Sequence, residues 1–218
     1  MGYNVAIDGP AGAGKSTIAR LVAKEKGYIY VDTGAMYRGL AIHFLDQGIG
    51  AGETERVIEA CKDADVKIRS EDGIQQVYLN GTNITGRLRD EAVGQMTSKC
   101  SAIPEVREKL LDLQRELART QDVIMDGRDI GTCVLPDADV KVYLTASVKT
   151  RAKRRYDELA AKGESCSLDE IERDIEERDE RDMNRETAPL RQAEDAVLVD
   201  SSDMTIEDVV RTIAGLCK

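Results

Sequence analysis

"GPAGAGKST", residues 9–17, is the stretch that decides the fold of this chain. It fits the pattern G-x-x-x-x-G-K-[ST], whose fixed positions are held by Gly9, Gly14, Lys15 and Ser16. Loops of this kind join a buried strand to a helix. Both neighbours are present, since the β-rich run 4–8 precedes the loop and a helical pattern over about 15–26 follows it. The stretch therefore predicts a phosphate-binding loop at the edge of an α/β sheet.

Each part of this loop can contribute to phosphate binding. Its glycines permit backbone torsions that turn successive N–H groups inward, and the N-terminus of the following helix adds positive potential. Lys15 can reach the outer phosphates, while Ser16 can place its hydroxyl on Mg²⁺. We expect a nucleoside triphosphate to be bound by the whole loop, which consists of Gly9, Pro10, Ala11, Gly12, Ala13, Gly14, Lys15, Ser16 and Thr17.

Five short β-rich runs, each nearly continuous in hydrophobicity, are typical of strands buried on both faces of a sheet. They cover residues 4–8, 28–32, 123–126, 140–145 and 196–200. Helical patterns cover about 15–26, 35–47, 90–119 with a break at Pro104, 147–162, 168–186 and 206–216. Strands that alternate with helices predict an α/β fold with a doubly wound parallel sheet, here five-stranded.

The alternation fails at residues 65–87. Short strands there are joined by Asp72-Gly73 and Asn80-Gly81, both strong hairpin signals. This pattern predicts a small antiparallel sheet in a subdomain inserted at about 62–103. No repeat or interdomain linker interrupts the rest, so we expect residues 1–218 to form a single domain.

Composition narrows the range of partners. The formal net charge is −10, and such a surface repels DNA and anionic membranes overall. No apolar run approaches the roughly 18 residues of a membrane span. We therefore expect a cytoplasmic monomer that binds small molecules, with no nucleic acid and no membrane as partner.

The cysteines and the single histidine offer little chemistry. The five cysteines are scattered without a C-x-x-C pair, which favours reduced, structural thiols over a disulfide framework or a zinc site. His43 lies in the apolar run 40–45, where a hydrogen-bonded helix residue is expected rather than a catalytic base.

A second anion site is predicted beside the loop, because the carboxyl ends of parallel strands meet at one edge of a sheet. The second strand runs into "VDTGAMYR", residues 31–38, which places Thr33 and Arg38 at that edge. Helix capping by Thr33 and an exposed Arg38 are the alternative for this motif.

The next strand continues into "VIMDGRDIGT", residues 123–132. Asp126 ends this strand where a carboxylate would support Mg²⁺. Arg128 and Asp129 follow on the turn at Gly127, over the same crevice. We expect both side chains to contact a ligand.

Arginines recur in a helical segment, residues 147–159, which contains Arg151, Arg154 and Arg155. Such a cluster is commonly solvated. Because a flexible break, residues 162–165, follows it, the alternative is a mobile helical lid over about 150–167.

The run "DIEERDERDMNRETAPLR", residues 174–191, divides by helical angle. Ser167-x-x-Glu170 is a capping box that starts a helix near Leu168. Its apolar stripe, Leu168, Ile171 and Ile175, continues into Arg178, Asp182 and Arg185. We interpret these three charged residues as lining a polar crevice. We also expect two i,i+4 salt pairs on this helix, Asp174 with Arg178 and Glu177 with Arg181. The charged residues expected to face solvent are Glu176, Glu177, Asp179 and Glu180.

The phosphate loop alone leaves several functions open, since motors, GTP switches and small-molecule kinases share it. A guanine-reading N-K-x-D is absent from the sequence. A phosphotransferase acting on another small acceptor, such as UMP or a different nucleoside monophosphate, and a P-loop ATPase or switch are the alternatives.

In their order, the loop, "VDTGAMYR", "DGRDIGT" and "RDERDMNR" resemble the bacterial cytidylate kinases, a family of nucleoside monophosphate kinases, over essentially all 218 residues. The resemblance implies transfer of the ATP γ-phosphoryl group to CMP or dCMP, giving ADP and CDP or dCDP, with Mg²⁺. The implied metal-binding residues are Ser16 and Asp126.

The resemblance also implies roles for individual side chains. Substrate-binding residues would be Thr33, Arg38, Ser98, Arg107, Arg128, Asp129, Arg178, Asp182 and Arg185. Among them, Ser98, Arg107 and Asp129 would select cytosine, and Asp182 would lie near the sugar hydroxyl. The residues implied in catalysis are Lys15, Arg128, Arg155 and Arg185, with Arg155 closing over the phosphates from the lid.

Overall fold

The computed structural model describes residues 2–71 and 74–218. The strands in these ranges are β1 Asn4–Asp8, β2 Ile29–Asp32, β3 Val66–Glu71, β4 Ile74–Leu79, β5 Thr82–Asn83, β6 Val123–Gly127, β7 Val140–Thr145 and β8 Val197–Asp200. The α-helices are α1 Lys15–Lys26, α2 Thr33–Asp46, α3 Thr54–Lys62, α4 Glu91–Cys100, α5 Pro104–Thr120, α6 Val148–Ala161, α7 Leu168–Asn184 and α8 Ile206–Leu216. A 3₁₀ turn covers Thr85–Arg87, and a π-helical turn covers Ile130–Val134.

The central sheet has five strands in the order β2-β6-β1-β7-β8, and each neighbouring pair is parallel. This confirms the predicted doubly wound parallel sheet. The register pairs Asp32 with Asp126 and Asp8 with Gly127. The carboxyl ends of β1, β2 and β6 therefore lie side by side at one edge, where open α/β sheets bind their ligands.

Helices cover both faces of this sheet. On one face α2 buries Met36, Leu40 and Phe44 in a large core. On the other face α1 and α8 pack against the strands through residues such as Ile18 and Ile213. Each of these side chains contributes roughly 1.5–3 kcal/mol of transfer free energy when it is fully buried. Packing on both faces holds the strand ends, and so the edge of the sheet, in place.

The small antiparallel sheet, with the order β3-β4-β5, is also confirmed. Its β4–β5 turn places Asn80 at φ 48° and Gly81 at φ 82°, the left-handed pair that a tight hairpin requires. The other predicted hairpin, Asp72-Gly73, lies outside the described residues. The sheet packs on α2, since Gly39 would bring an added Cβ to 3.4 Å from Val77.

Some helix boundaries differ from the predictions. The sequence did not predict α3, whose short span buries only Val57, Ala60 and Cys61. The predicted break at Pro104 is confirmed, because α5 begins at that residue. A proline is favoured in the first helical turn, where its missing N–H costs nothing.

Helices α6 and α7 form a hairpin with a small core of its own. Ala152, Ile171 and Ile175 are buried there, and Tyr156 and Leu159 pack against them. This cluster is separate from the two cores of the sheet. The hairpin thus holds together by its own contacts.

Within residues 2–71 and 74–218, none of the helices combines the length and the hydropathy needed to cross a bilayer.

Candidate functional site

A cleft of about 740 Å³ opens at the carboxyl edge of the central sheet. Of the residues predicted for the site, the cleft is lined by Ala11, Gly12, Ala13, Gly14, Lys15, Ser16, Thr17, Thr33, Arg38, Ser98, Arg107, Asp126, Arg128, Asp129, Arg155, Arg178, Asp182 and Arg185. Gly9 and Pro10 lie behind this lining and contribute backbone carbonyls. The fold therefore brings together residues separated by more than a hundred positions in sequence.

The phosphate loop is shaped by close packing behind it. Gly9 has φ 150°, and an added Cβ would lie 1.9 Å from the carbonyl oxygen of Leu144. Lys15, which is 6% exposed, donates from Nζ to the carbonyl oxygens of Gly9 and Pro10, both at 2.7 Å. Burial, and next the charge of Arg128, hold the pKa of Lys15 well below its usual range. An anion in the loop would relieve this cost.

Asp126 and Ser16 lie together at the mouth of the loop. Ser16 Oγ donates to Asp126 Oδ2 at 2.9 Å, and the hydroxyl of Tyr30 donates to Oδ1 at 3.1 Å. Burial, and next the charge of Asp32, raise the pKa of Asp126 to about 7. The charge of Lys15 offsets these effects only in part, and the hydrogen-bond partners of Asp126 are neutral hydroxyls, so these residues fit a divalent cation. Tyr30 was not singled out in the sequence.

Asp8, at the end of β1, was also missed as a site residue. Its Oδ1 accepts from the backbone N–H of Ile130 at 2.8 Å and its Oδ2 from that of Gly131 at 2.7 Å. Burial raises its pKa to about 6. Asp8 thereby holds the π-helical turn that follows Arg128 and Asp129. The sequence signal was available, since the strand ends on a carboxylate directly before the loop.

Arg128 is held by an ion pair to α7. Its Nε donates to Asp182 Oδ2 at 2.8 Å, and its Nη1 donates to the carbonyl oxygen of Gly127 at 3.2 Å. Burial is the largest single influence and disfavours the ionised form of Asp182, but the charge and hydrogen bond of Arg128 together with the charges of Arg178 and Arg185 outweigh it, so the pKa of Asp182 is lowered. The pair fixes the planar guanidinium over the cleft.

Asp129 lies between two arginines. It forms an ion pair with Arg107 and accepts from Arg185 Nη2 at 3.3 Å. Arg107 also lies over the ring of Tyr37, 5.6 Å from the centroid. Tyr37 lines the cleft and was not predicted. Three chain segments thus meet at one carboxylate.

Two arginines keep their donors for a ligand. Arg38 is half-buried, and it makes no hydrogen bond or ion pair with the described part of the chain. Nε of Arg178 is buried and has no partner there either. Burial, and next the charge of Arg128, lower the pKa of Arg178 to about 10. An anion between these groups would satisfy them.

The hydroxyls of Thr33 and Ser98 differ in their bonding. Thr33 Oγ1 donates to the carbonyl oxygen of Asp126 at 2.8 Å. The alternative role for Thr33, capping α2, is wrong, because Asp32 is the capping residue and accepts from the N–H of Ala35. Ser98 Oγ is buried and has no hydrogen-bond partner among residues 2–71 and 74–218. It remains available to a ligand in the cleft.

The inward stripe of α7 is confirmed for Ile171, Ile175 and Asp182, which are buried. Arg178 is half-buried and lines the cleft. Arg185 reaches the cleft differently from the prediction, because α7 ends at Asn184 and Arg185 has extended backbone torsions. Its position depends on the hydrogen bond from Nε to Ala188 O at 2.6 Å.

Three details predicted for α7 are wrong. Asp179 is not outward; it is 8% exposed and pairs with Arg151. The salt pairs Asp174–Arg178 and Glu177–Arg181 are not formed between these described side chains. The helix begins at Leu168 as predicted, but Ser167 makes no side-chain capping bond. Tertiary partners, which periodicity does not contain, decide these positions.

The arginines of α6 have different environments. Arg155 lies at the rim with its side chain 49% exposed, and it pairs with Glu158 at 2.9 Å. Arg154 Nη2 donates to the carbonyl oxygen of Ser201 at 2.7 Å. Arg151 is 3% exposed and donates from Nη1 to Ala11 O, in the phosphate loop, at 2.9 Å. The structure therefore adds Arg151 to the site.

The predicted environment of His43 as a hydrogen-bonded helix residue is confirmed. His43 is buried, with Nε2 3.0 Å from the carbonyl oxygen of Ala60. The cysteines are free.

A P-loop α/β domain with a phosphate loop at one end of a cleft, and at the other end arginines that lack partners among the described residues, is typical of the phosphotransferases. The cytidylate kinase family model matches residues 5–218. The cytidylate kinase of Caldicellulosiruptor saccharolyticus is 49% identical over 213 residues, covering 98% of this chain and 94% of the relative. That of Lactobacillus gasseri is 47% identical, covering 97% and 92%. The chain belongs to the cytidylate kinase family and is a kinase.

A solved structure shows the same fold without close sequence similarity. An uncharacterized protein from Eubacterium ventriosum aligns with a TM-score of 0.53 and 12% identity, over 99% of this chain and 97% of that one. At this identity the likeness concerns the fold alone.

Proposed function

We propose that this kinase transfers the γ-phosphoryl group of ATP to CMP or dCMP, giving ADP and CDP or dCDP. The observation that carries the proposal is the two-ended cleft. Its phosphate loop faces a group of arginines, of which Arg38 and Arg178 have donors without partners among the described residues. A bound monophosphate supplies the missing acceptors.

The donor triphosphate would lie in the loop, residues 9–17. Lys15 would leave the carbonyl oxygens of Gly9 and Pro10 and bind the β- and γ-phosphates instead. The lowered pKa of Lys15 supports this role, because a bound phosphate supplies negative charge that stabilises the buried ammonium group.

Ser16 and Asp126 would hold Mg²⁺ together with the phosphates. Magnesium is commonly bound through one or two carboxylates and the phosphates of the substrate. When bound, it supplies a positive charge that neutralises the transferring group. Asp126 contributes by orienting Ser16 through their hydrogen bond.

The acceptor phosphate would lie among Arg38, Arg128, Arg178 and Arg185. Asp182, held by Arg128, would accept a hydrogen bond from a sugar hydroxyl, and Thr33 would lie beside the nucleotide. Ser98, Arg107 and Asp129 would read cytosine, which offers both donors and acceptors on its edge. The unpartnered hydroxyl of Ser98 supports this assignment.

The chemistry needs no covalent intermediate. An acceptor phosphate oxygen is already a nucleophile, so the protein has to align two polyanions and stabilise the charge between them. Arg128 and Arg185 would do so from the positions that their ion pairs hold, and Lys15 after it has moved to the phosphates. Arg155 would leave Glu158 and close over the phosphates with a lid of about residues 150–167, which excludes water.

A coupled ADP-release assay tests the proposal with CMP, dCMP, UMP, AMP, GMP and shikimate as acceptors. We expect strong preference for the cytidine nucleotides. Preference for any other acceptor, or ATP hydrolysis that no monophosphate changes, would contradict it. EDTA should abolish turnover and excess Mg²⁺ should restore it.

We also propose that the working unit is a cytoplasmic monomer. Every residue assigned above comes from one chain, and free thiols suit a reducing compartment. Light scattering at the protein concentration of the assay measures the molar mass in solution, and the mass of a dimer would contradict the proposal.

A further inference from the structure

A buried ion pair between Arg151 on α6 and Asp179 on α7 has no part in the roles assigned so far. The two side chains are 4% and 11% exposed. Asp179 is absent from the described lining of the cleft, so it acts through another residue. The sequence placed it on the solvent side of α7.

Arg151 supports the phosphate loop directly. It donates from Nε to the carbonyl oxygen of Ala146 and from Nη1 to that of Ala11, each at 2.9 Å. Its Cβ lies 3.4 Å from where Gly12 would carry one. The remaining nitrogen, Nη2, donates to Asp179. One planar guanidinium thus joins the loop to α7.

Asp179 lies beside the residues proposed to hold the acceptor. Arg178 is its neighbour in sequence, and Asp182, one helical turn later, accepts the hydrogen bond from Arg128. Hydrogen bonds join Ala11 in the loop to Arg151 and Arg151 to Asp179, the backbone of α7 connects Asp179 to Asp182, and a further hydrogen bond joins Asp182 to Arg128. They cross the cleft from its donor end to its acceptor end.

Stability alone does not account for this pair. Taking two charges out of water is costly, and apolar residues of similar size commonly stabilise a protein as well or better. Oδ1 of Asp179 is buried and lacks a partner within the described ranges, so the charge is incompletely compensated. The α6–α7 hairpin already has apolar contacts through Ile171 and Ile175. What the pair adds is a fixed orientation.

We infer that Arg151 and Asp179 are a positioning pair that couples the two ends of the cleft. Filling the phosphate loop steadies Ala11 and Arg151, which holds Asp179 and thereby places Arg178 and Asp182 for the acceptor. The inference rests on the proposed function for the identity of the two ligands. By linkage, the acceptor strengthens donor binding by the same factor.

The test is a comparison of CMP dissociation constants by calorimetry, with and without Mg²⁺ and a non-hydrolysable ATP analogue. For the wild type we expect the analogue to tighten CMP binding by about fivefold or more. For Asp179→Asn we expect a ratio within about twofold of one, with CMP binding in the absence of the analogue little changed. In turnover at saturating ATP, the KM for CMP should rise by about the coupling factor that is lost, while kcat changes less.

Two further variants sharpen the result. The control is Asp157→Asn, which breaks an ion pair with Lys153 on α6. These two side chains are 56% and 62% exposed, so the variant should keep the wild-type ratio of CMP dissociation constants. Arg151→Lys keeps the positive charge, but a single ammonium cannot reach all three acceptors in the same geometry. It should lose the coupling as Asp179→Asn does.

A wild-type ratio of one overturns the inference, as does a folded Asp179→Asn with the wild-type ratio. If Asp179→Asn does not fold, Arg151→Lys decides by the same measurement. If neither folds, the pair is structural and the inference is wrong. A failure of the proposed function shows in the ADP-release assay as preference for another acceptor. The coupling is then measured with the acceptor that this assay identifies.

Discussion

Single residues in the cleft carry charges that the ligand-free protein does not compensate. Burial raises the pKa of Asp126 to about 7 and lowers that of Arg178 to about 10. Burial is also the first cause of the lowered pKa of Lys15. Such shifts cluster where a site awaits charged ligands, because the ligand supplies the counter-charge.

Asp126→Asn should separate stability from activity. The amide keeps the size of the side chain and removes the buried charge, so the ligand-free variant should melt roughly 5 °C higher than the wild type at pH 8. Turnover should fall by roughly a hundredfold or more, because the proposed magnesium ligand is lost. Calorimetry and the ADP-release assay measure the two effects; a variant that is less stable or fully active contradicts the account.

Arg178→Ala and Arg185→Ala should both lose roughly tenfold or more in kcat/KM for CMP. Their effects on Tm should differ. Arg178 has a buried Nε without a partner in the described ranges, so its removal should leave Tm unchanged or higher. Arg185 bonds to Asp129 and to the carbonyl oxygen of Ala188, so its removal should lower Tm by several degrees. Equal changes in Tm would show that these contacts do not matter.

At the scale of elements, the α6–α7 hairpin differs from the other helices because it has a small core of its own, separate from the cores of the central sheet. The π-helical turn after β6 is distinct as well, because Asp8 holds its N–H groups. The turn is thereby fixed to β1, while the separate core of the hairpin is compatible with the lid proposed above.

Ile175→Ala should loosen the hairpin without unfolding the sheet. Deleting a buried isoleucine side chain costs roughly 2–5 kcal/mol, and here the loss is confined to a satellite core. Amide exchange in α6 and α7 should accelerate at least about tenfold, while β1 and β6 keep their protection. Leu198→Ala, at a side chain that is 56% exposed, is the matched control and should change neither. Uniform acceleration through the sheet would contradict a separate hairpin.

For the whole molecule, stability without ligand should fall as pH rises from about 5 to 7. Asp8 and Asp126 have raised pKa values, about 6 and about 7, so the folded protein binds more protons than the unfolded chain in this window. The window ends at about pH 7, where Asp126 has lost its proton in the folded protein as well. The lowered pKa of Lys15 acts in the opposite direction. Chemical denaturation across this range measures the slope, and Asp126→Asn should flatten it. A rising slope would show that Asp126 is ionised without cost.

Much of the whole molecule was predictable because its signals are local. Continuous apolar runs predicted the five central strands, and the loop motif placed α1 at Lys15. The weak pattern of α3, with three buried positions, was not recognised. The site was predictable where a side chain follows a strand, as for Asp126 and Arg128, because parallel strands end at one edge.

The sequence by itself determined the parallel sheet, the phosphate loop, the small antiparallel sheet and those cleft residues that follow directly on a strand, since each follows from a motif or a period of a few residues. Only the tertiary structure decided which charges pair. Periodicity placed Asp179 outward, but Arg151 lies 28 residues away in sequence and meets it through the packing of α6 on α7. The run 174–191 is therefore neither a purely solvated face nor a purely anion-binding one. The partner of each charge depends on contacts between elements, which a local pattern does not contain.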